Sequence, residues 1–97
     1  MKLKIADYEI PERCLRFVIL YPESASVSFG GALVGEKDRE TRSELRKLAR
    51  LRAFPFEAID RNGLGRTGIC NMKDLKMIGH GSPVVKFSGR LVRPPQD

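Results

Sequence analysis

The 97-residue sequence has no tryptophan, one histidine and only two cysteines. Two cysteines cannot build the disulfide framework that small secreted domains use. Cys14, Cys70 and His80 together supply at most three metal ligands, and they lack the close spacing of a zinc site. The sequence therefore predicts no metal and no cofactor. The cysteines are expected to be small buried residues, although a disulfide between Cys14 and Cys70 stays open.

Long hydrophobic runs and catalytic motifs are absent too. The longest unbroken apolar run, residues 17–21, is far too short to span a bilayer. The opening MKLKIADYEI lacks the apolar core of a signal peptide. His80 lies between glycines without an adjacent nucleophile, and Asp60 and Asp74 have no partner carboxylate at a recognisable spacing. We therefore expect a cytoplasmic protein that is not an enzyme and has no membrane span.

What the sequence has in excess is positive charge. Eighteen Lys and Arg against twelve Asp and Glu give a formal net charge of +6. Such an excess favours a polyanionic partner, such as nucleic acid, an anionic membrane surface or an acidic protein, although solubility alone is an alternative reason. The length and the 41% hydrophobic content predict one globular domain over residues 1–93, with residues 94–97 as a frayed C-terminal tail.

Alternating and β-branched stretches predict an antiparallel sheet. Strand patterns cover residues 2–10, 14–21, 24–34, 56–60, 69–70 and 84–92. Gly30-Gly31 is expected to break or bulge its strand, and residues 71–78 are ambiguous between a short helical turn and a loop. Because the strands surround one helix, the expected fold class is α+β. It is a small curved antiparallel sheet, or a partly closed β-barrel, of about five or six strands with one amphipathic helix at about 38–53.

The helix pattern separates an apolar face from a basic one. Asp38 is positioned as the N-cap, and Pro55 ends the helix because the residue before proline leaves the α region. At 100° per residue the apolar face carries Leu45, Leu48 and Leu51, which are expected to pack on the sheet. The opposite face carries four arginines within about 80°, namely Arg39, Arg42, Arg46 and Arg50.

The basic face of the helix carries an electrostatic cost. Arg42, Arg46 and Arg50 are successive i,i+4 neighbours, and each like-charge pair costs a few tenths of a kcal/mol, about 0.2–0.5, in an isolated helix. Arginine suits phosphate because its planar fork donates two hydrogen bonds at once. The pattern therefore favours anion binding. The alternatives are a solvated outer face and pairing with acids elsewhere in the fold.

A glycine-rich segment, residues 63–68 (GLGRTG), matches the letters of a dinucleotide-binding fingerprint. The helix and the βαβ unit that such a site requires do not follow it, so a Rossmann site is rejected. Its backbone amides, with Arg66 and Thr67, could form an anion nest. The alternative is a flexible hairpin tip, which the Asn62-Gly63 turn signal favours.

Together these patterns predict a small basic non-enzymatic domain that binds a polyanion, most simply RNA or DNA. The residues expected to make the contact are Arg39, Arg42, Arg46, Arg50, Arg52, Arg61 and Arg66. No set of base-reading side chains is evident, so sequence specificity is not expected. The alternative function is a protein-protein interaction or assembly module, in a small accessory or viral protein, in which the arginines pair with acidic partner residues. A homo-oligomer is compatible with either function.

Overall fold

The computed structural model describes residues 1–79 and 81–95 of the chain. His80, which was weighed above as a metal ligand and a catalytic residue, lies outside the described residues, as do Gln96 and Asp97 of the predicted tail. The described chain forms seven strands, one α-helix and two short 3-10 turns.

All seven strands belong to one antiparallel sheet with the order β2-β1-β5-β6-β7-β4-β3. The strands are β1 (Lys2–Ile5), β2 (Tyr8–Glu9), β3 (Leu15–Tyr21), β4 (Ser26–Val34), β5 (Phe54–Ile59), β6 (Gly65–Ile78) and β7 (Val84–Val92), and the helix is α1 (Arg39–Leu48). The prediction of an α+β fold with an antiparallel sheet and one helix is confirmed. The predicted number of strands, five or six, was wrong. Residues 2–10 form two strands because the chain reverses at Ala6, where φ is 54°.

Residues 71–78, which the sequence left between helix and loop, belong to the 14-residue strand β6. The first part of β6 pairs with β5 as far as Cys70, and the second part pairs with β7 from Asn71 onward. The register against β7 shifts between Lys73 and Lys76, around Asp74, whose φ is 56°. This bulge interrupts the alternation of side chains, so the strand pattern is not visible in the sequence.

The glycine pair in β4 serves close packing and does not interrupt the strand. A Cβ atom on Gly31 would collide with the carbonyl oxygen of Cys14, and one on Gly30 would lie 2.6 Å from the Phe17 ring. The irregularity falls on the neighbouring strand β3, between Leu15 and Phe17. The expected break at Gly30-Gly31 was therefore wrong, because glycine is needed there for the approach of another strand.

One hydrophobic core lies inside the folded sheet. It includes Phe29 and Phe87, whose ring centroids are 6.3 Å apart, and both cysteines, which are buried and free. Strands β1 and β3 approach each other across this core. No backbone ladder joins the two edge strands among the described residues, so the sheet is open and is not a closed barrel.

Helix α1 covers the end of the sheet where β4 ends and β5 begins. Its buried residues are Thr41, Leu45 and Leu48, and the Thr41 hydroxyl is 2.6 Å from the Tyr8 hydroxyl. The helix ends at Leu48, earlier than residue 53, because the amides of Arg50 and Leu51 bond three residues back as the chain turns into β5. Leu51 is consequently 47% exposed, and its predicted burial was wrong.

Candidate anion-binding face

Four arginines stand together on the solvent side of α1. Arg39, Arg42, Arg46 and Arg50, which we call the arginine face, line a shallow depression of about 380 Å³ with Ser43 and Lys47. The first three belong to the helix. Arg50 follows it and reaches the same depression because its amide bonds to the Lys47 carbonyl, which extends the coil by one tight turn. The helical spacing therefore brings these residues together as predicted.

Within the described part of the chain, three members of the arginine face have no acidic partner. Arg42, Arg46 and Arg50 form no salt bridge with any carboxylate in the described part of the chain. Arg39 lies 3.4 Å from Glu36, but the two side chains are 80% and 89% exposed, and such pairs contribute little. Pairing with acids elsewhere in the fold, the alternative raised above, is thus not seen for these three arginines.

Arg42 is the least exposed of those three. Its side chain is half-buried, and its Nε atom is buried without a hydrogen-bond partner among the described residues. A buried donor that is left unsatisfied costs about 1–3 kcal/mol. The face therefore contains a donor for which the described fold supplies no acceptor.

Two local effects act on these charges in opposite directions. Arg42 and Arg46 repel within the helix by about 0.2–0.5 kcal/mol, and Arg50 adds a like charge just beyond the helix end. Arg46 lies in the last turn of the helix, where the carbonyl end of the dipole stabilises a cation by about 0.3–1 kcal/mol. These terms are of similar size, so the helix tolerates the row of guanidinium groups without neutralising it.

Asp38, predicted as the N-cap, is used by a different arginine. It occupies the N-cap position but makes no capping hydrogen bond. Instead its Oδ1 lies 2.5 Å from Nη2 of Arg13, and its Oδ2 accepts a 2.6 Å hydrogen bond from the Val34 amide. Asp38 is 1% exposed, and the Arg13 guanidinium lowers its carboxyl pKa to about 2. Asp38 therefore connects the start of α1 to Arg13, which precedes β3, and to the end of β4 at Val34.

The other predicted arginines do not join the arginine face. Arg52 is exposed beyond the end of α1 and does not line the depression. Arg61 and Arg66 lie at the opposite end of the sheet, beside the connection from β5 to β6. Since the nine residues of β4 separate the two ends, the distance along the strand is roughly 25 Å.

Arg66 is engaged within the fold. Its Nη1 donates to the carbonyl oxygens of Tyr21 and Ser26, at 3.3 and 3.0 Å. These carbonyls flank the turn between β3 and β4, so Arg66 ties that turn to β6. This role could not be predicted from sequence patterns, because the donor and the acceptors are 40 or more positions apart.

In the turn between β5 and β6, backbone amides donate hydrogen bonds to Asp60 of the same turn. The amides of Asn62 and Leu64 both donate to Oδ1 of Asp60 at 2.9 Å, and the Gly63 amide donates to its carbonyl at 3.1 Å. From Gly65 onward the chain is paired with β5. The anion nest considered for residues 63–68 is therefore not formed. An aspartate two residues before Asn-Gly was the available signal for this turn.

Comparison of the sequence with protein-family models, with curated proteins and with solved structures returned no match in any of the three. Helix α1 has ten residues, and within residues 1–79 and 81–95 no helix is long and apolar enough to cross a membrane. The function is therefore argued from the geometry of the arginine face.

Proposed function

We propose that this domain binds a polyanion, most simply RNA or DNA, through the arginine face. The observation that carries the proposal is the row Arg42, Arg46 and Arg50. These guanidinium groups lie side by side without an acidic partner among the described residues. The row can be changed without removing the arginine contacts that stabilise the fold, because those contacts are made by Arg13 and Arg66.

The spacing of the row supports phosphate as the ligand group. Arg42 and Arg46 are four positions apart in α1, which is about 6 Å along a helix with a rise of 1.5 Å per residue, and Arg50 follows in the tight turn after the helix. Each guanidinium can donate two parallel hydrogen bonds to a phosphate. Neutralising phosphates in this way releases condensed counterions, so the free energy of binding depends on salt.

The proposed contact is to the backbone of the nucleic acid and involves no catalysis. The face consists of arginines, a lysine and a serine, which is the composition of a phosphate-binding surface and not of a set that reads base edges. The proposed setting is the cytoplasm, because Cys14 and Cys70 are free thiols, and a reducing compartment preserves thiols.

Charge reversal on two surfaces tests the proposal. One variant combines Arg42→Glu, Arg46→Glu and Arg50→Glu. The matched control combines Lys73→Glu, Lys76→Glu and Lys86→Glu, three exposed sheet residues without salt bridges among the described residues. Each set removes six units of charge and takes the formal net charge from +6 to zero. Binding of a short fluorescent RNA, and of the DNA of the same sequence, is measured by anisotropy at low salt.

The helix variant is expected to bind on the order of 100-fold more weakly than the wild type, whereas the sheet variant loses far less. Equal losses in both variants would show that net charge, and not the arginine face, is responsible. Absence of binding by the wild type at low salt would end the proposal. Polyglutamate serves as a competitor. If it displaces the RNA as effectively as an RNA of the same charge, the ligand is an acidic protein surface.

A further inference from the structure

A second cleft adjoins the arginine face along the same helix. It has a volume of about 390 Å³ and lies between α1 and the turn that joins β1 to β2. Three apolar or aromatic and three charged side chains line it, namely Tyr8, Leu48, Leu51, Asp7, Glu44 and Lys47. Lys47 also lines the depression of the arginine face. The two surfaces are therefore continuous.

The helix sets the separation between the cleft and the arginine face. Lys47 directly follows Arg46 in α1, so the two side chains are rotated by about 100° around the helix axis. With an overall helix radius of about 5–6 Å, this rotation separates the two surfaces by roughly 8 Å. One nucleotide can bridge that separation, with its phosphate on the arginine face and its base in the cleft.

The two sides of the cleft are held together within the fold. The Tyr8 hydroxyl of β2 is 2.6 Å from the hydroxyl of Thr41, which lies in α1 and is 3% exposed. This hydrogen bond fixes the aromatic ring of the cleft relative to the helix. Leu51 lies on the helix side and is 47% exposed. The cleft thus combines a positioned aromatic ring with an exposed apolar side chain.

The charged residues of the cleft limit what can occupy it. Asp7 forms no salt bridge within the described part of the chain, and Glu44 lies 3.6 Å from Lys47. The two carboxylates repel a phosphate, whereas Lys47 and the neighbouring arginines repel a cation. Ionised carboxylates only accept hydrogen bonds. A neutral, planar group with donors on its edge therefore matches both the apolar wall and the acids.

We propose that the cleft binds one unpaired base with an amino group, that is adenine, cytosine or guanine, from the strand whose phosphates lie on the arginine face. This inference rests on the proposed function and specifies its ligand as single-stranded RNA or DNA. In a duplex the bases are paired and stacked, so none is free to enter. Uracil and thymine have no amino group to donate to Asp7 or Glu44.

Binding by matched leucine variants tests the cleft. The probes are a fluorescent cytidine strand, a uridine strand of the same length, and an RNA duplex. Leu51→Ala should weaken binding of the cytidine strand roughly fivefold, because an apolar contact is lost, and should leave duplex binding unchanged. The matched control is Leu64→Ala, at a leucine that is 64% exposed in the turn before β6. It should bind all three probes as the wild type does.

The two acids are tested through base preference. The wild type should bind the cytidine strand roughly tenfold more tightly than the uridine strand. The double variant Asp7→Asn, Glu44→Gln should lose most of this preference, because side-chain amides also donate to the carbonyl groups of uracil. The ratio of the two affinities is the readout, since removing two negative charges strengthens the binding of both strands.

A photo-crosslink locates the base directly. A cytidine strand with one iodocytosine, which couples to a nearby aromatic side chain on irradiation, should link to Tyr8, as mapped by mass spectrometry. Phe17 and Tyr21 of β3 are 37% and 41% exposed and are the competing aromatic sites. Linkage to either of them in place of Tyr8 would overturn the assignment of the cleft.

The base cleft and the proposed function fail in different ways. Equal binding of the cytidine and uridine strands by the wild type, with loss of both in the Arg42→Glu, Arg46→Glu, Arg50→Glu variant, would overturn the cleft and leave the arginine face in place. A loss of duplex binding by Leu51→Ala as large as its loss of single-strand binding would also overturn the cleft. Absence of binding of every probe by the wild type would overturn both.

Discussion

Arginines at the two ends of the sheet bind acceptors within the fold, whereas three arginines on the outer surface of α1 bind none among the described residues. Next to the helix, Arg13 binds the buried carboxylate of Asp38, and at the far end Arg66 binds two carbonyl oxygens. On the surface of α1, Arg42, Arg46 and Arg50 have no acid in reach among the described residues. Arg13 and Arg66 therefore support the fold, whereas the proposed ligand binding belongs to other arginines, so each property should be removable without the other.

The largest expected effect is on the ion pair between the buried Asp38 carboxylate and Arg13, whose side chain is 51% exposed. Asp38→Ala removes the acceptor of Arg13 and of the Val34 amide, and we expect the free energy of unfolding to fall by about 3 kcal/mol. Urea denaturation measures it. The matched control, Glu36→Ala, removes the exposed partner of Arg39 and should leave the midpoint almost unchanged. Equal losses in the two variants would mean that burial of the Asp38 carboxylate does not matter for stability.

The same carboxylate gives a pH dependence. Asp38 has a pKa of about 2 in the folded chain against an ordinary value of 3.8, so the ionised form is stabilised by folding. Its contribution, about 2 kcal/mol, is complete above pH 4 and is lost as the pH falls from about 4 through 2. Denaturation midpoints should therefore fall more steeply over this range for the wild type than for Asp38→Asn. Parallel pH profiles of the two proteins would contradict the assignment.

A smaller effect is expected at the far end of the sheet. Arg66→Ala removes two hydrogen bonds to the turn between β3 and β4, and we expect a loss of about 1 kcal/mol in the free energy of unfolding. Arg61→Ala, at an exposed residue of the neighbouring turn, should leave stability unchanged. RNA binding by Arg66→Ala should stay near the wild-type value. If it falls as far as in the helix variant, Arg66 belongs to the binding surface after all.

The smallest effect on stability should come from the arginine face itself. Replacing Arg42, Arg46 and Arg50 by glutamine removes the like-charge repulsion along the row and also the favourable interaction of Arg46 with the carbonyl end of the helix. The side-chain amide of glutamine lies where Nε of arginine lay, so the unsatisfied donor at position 42 is retained. We therefore expect the free energy of unfolding to change by at most a few tenths of a kcal/mol, about 0.5 or less. Thermal unfolding at low salt measures it. A loss comparable to that of Asp38→Ala would show that these arginines support the fold.

The sequence could predict what depends on near neighbours along the chain. The buried positions of Leu45 and Leu48, and the grouping of Arg39, Arg42 and Arg46, follow from helical spacing alone. The end of the helix could not be predicted from this spacing. It is set by the turn before β5, in which Ala53 has a φ of 51° and Phe54 enters the strand. A short-range periodicity contains no information about that turn.

The roles of the remaining charged residues required the fold. Asp38 looked like an N-cap because Arg13, 25 positions earlier, is not its neighbour until β3 and β4 have paired. The hydrogen bonds of Arg66, which stays a predicted contact residue, were not visible in the sequence for the same reason. Only residues 69–70 of β6 were predicted as strand, and residues 71–78 were not, because the bulge at Asp74 disturbs the alternation that marks strands in a sequence.

The most direct test of the central claim is the salt dependence of RNA binding by three proteins. For the wild type, a plot of log K against log salt concentration should have a slope of about −2 to −3, as expected if three arginines neutralise phosphates. With Arg42, Arg46 and Arg50 replaced by glutamine, the slope should approach zero, whereas glutamine at Lys73, Lys76 and Lys86 should leave it near the wild-type value. A slope that the helix variant leaves unchanged, or that both variants reduce equally, would contradict the assignment of the arginine face as the binding surface.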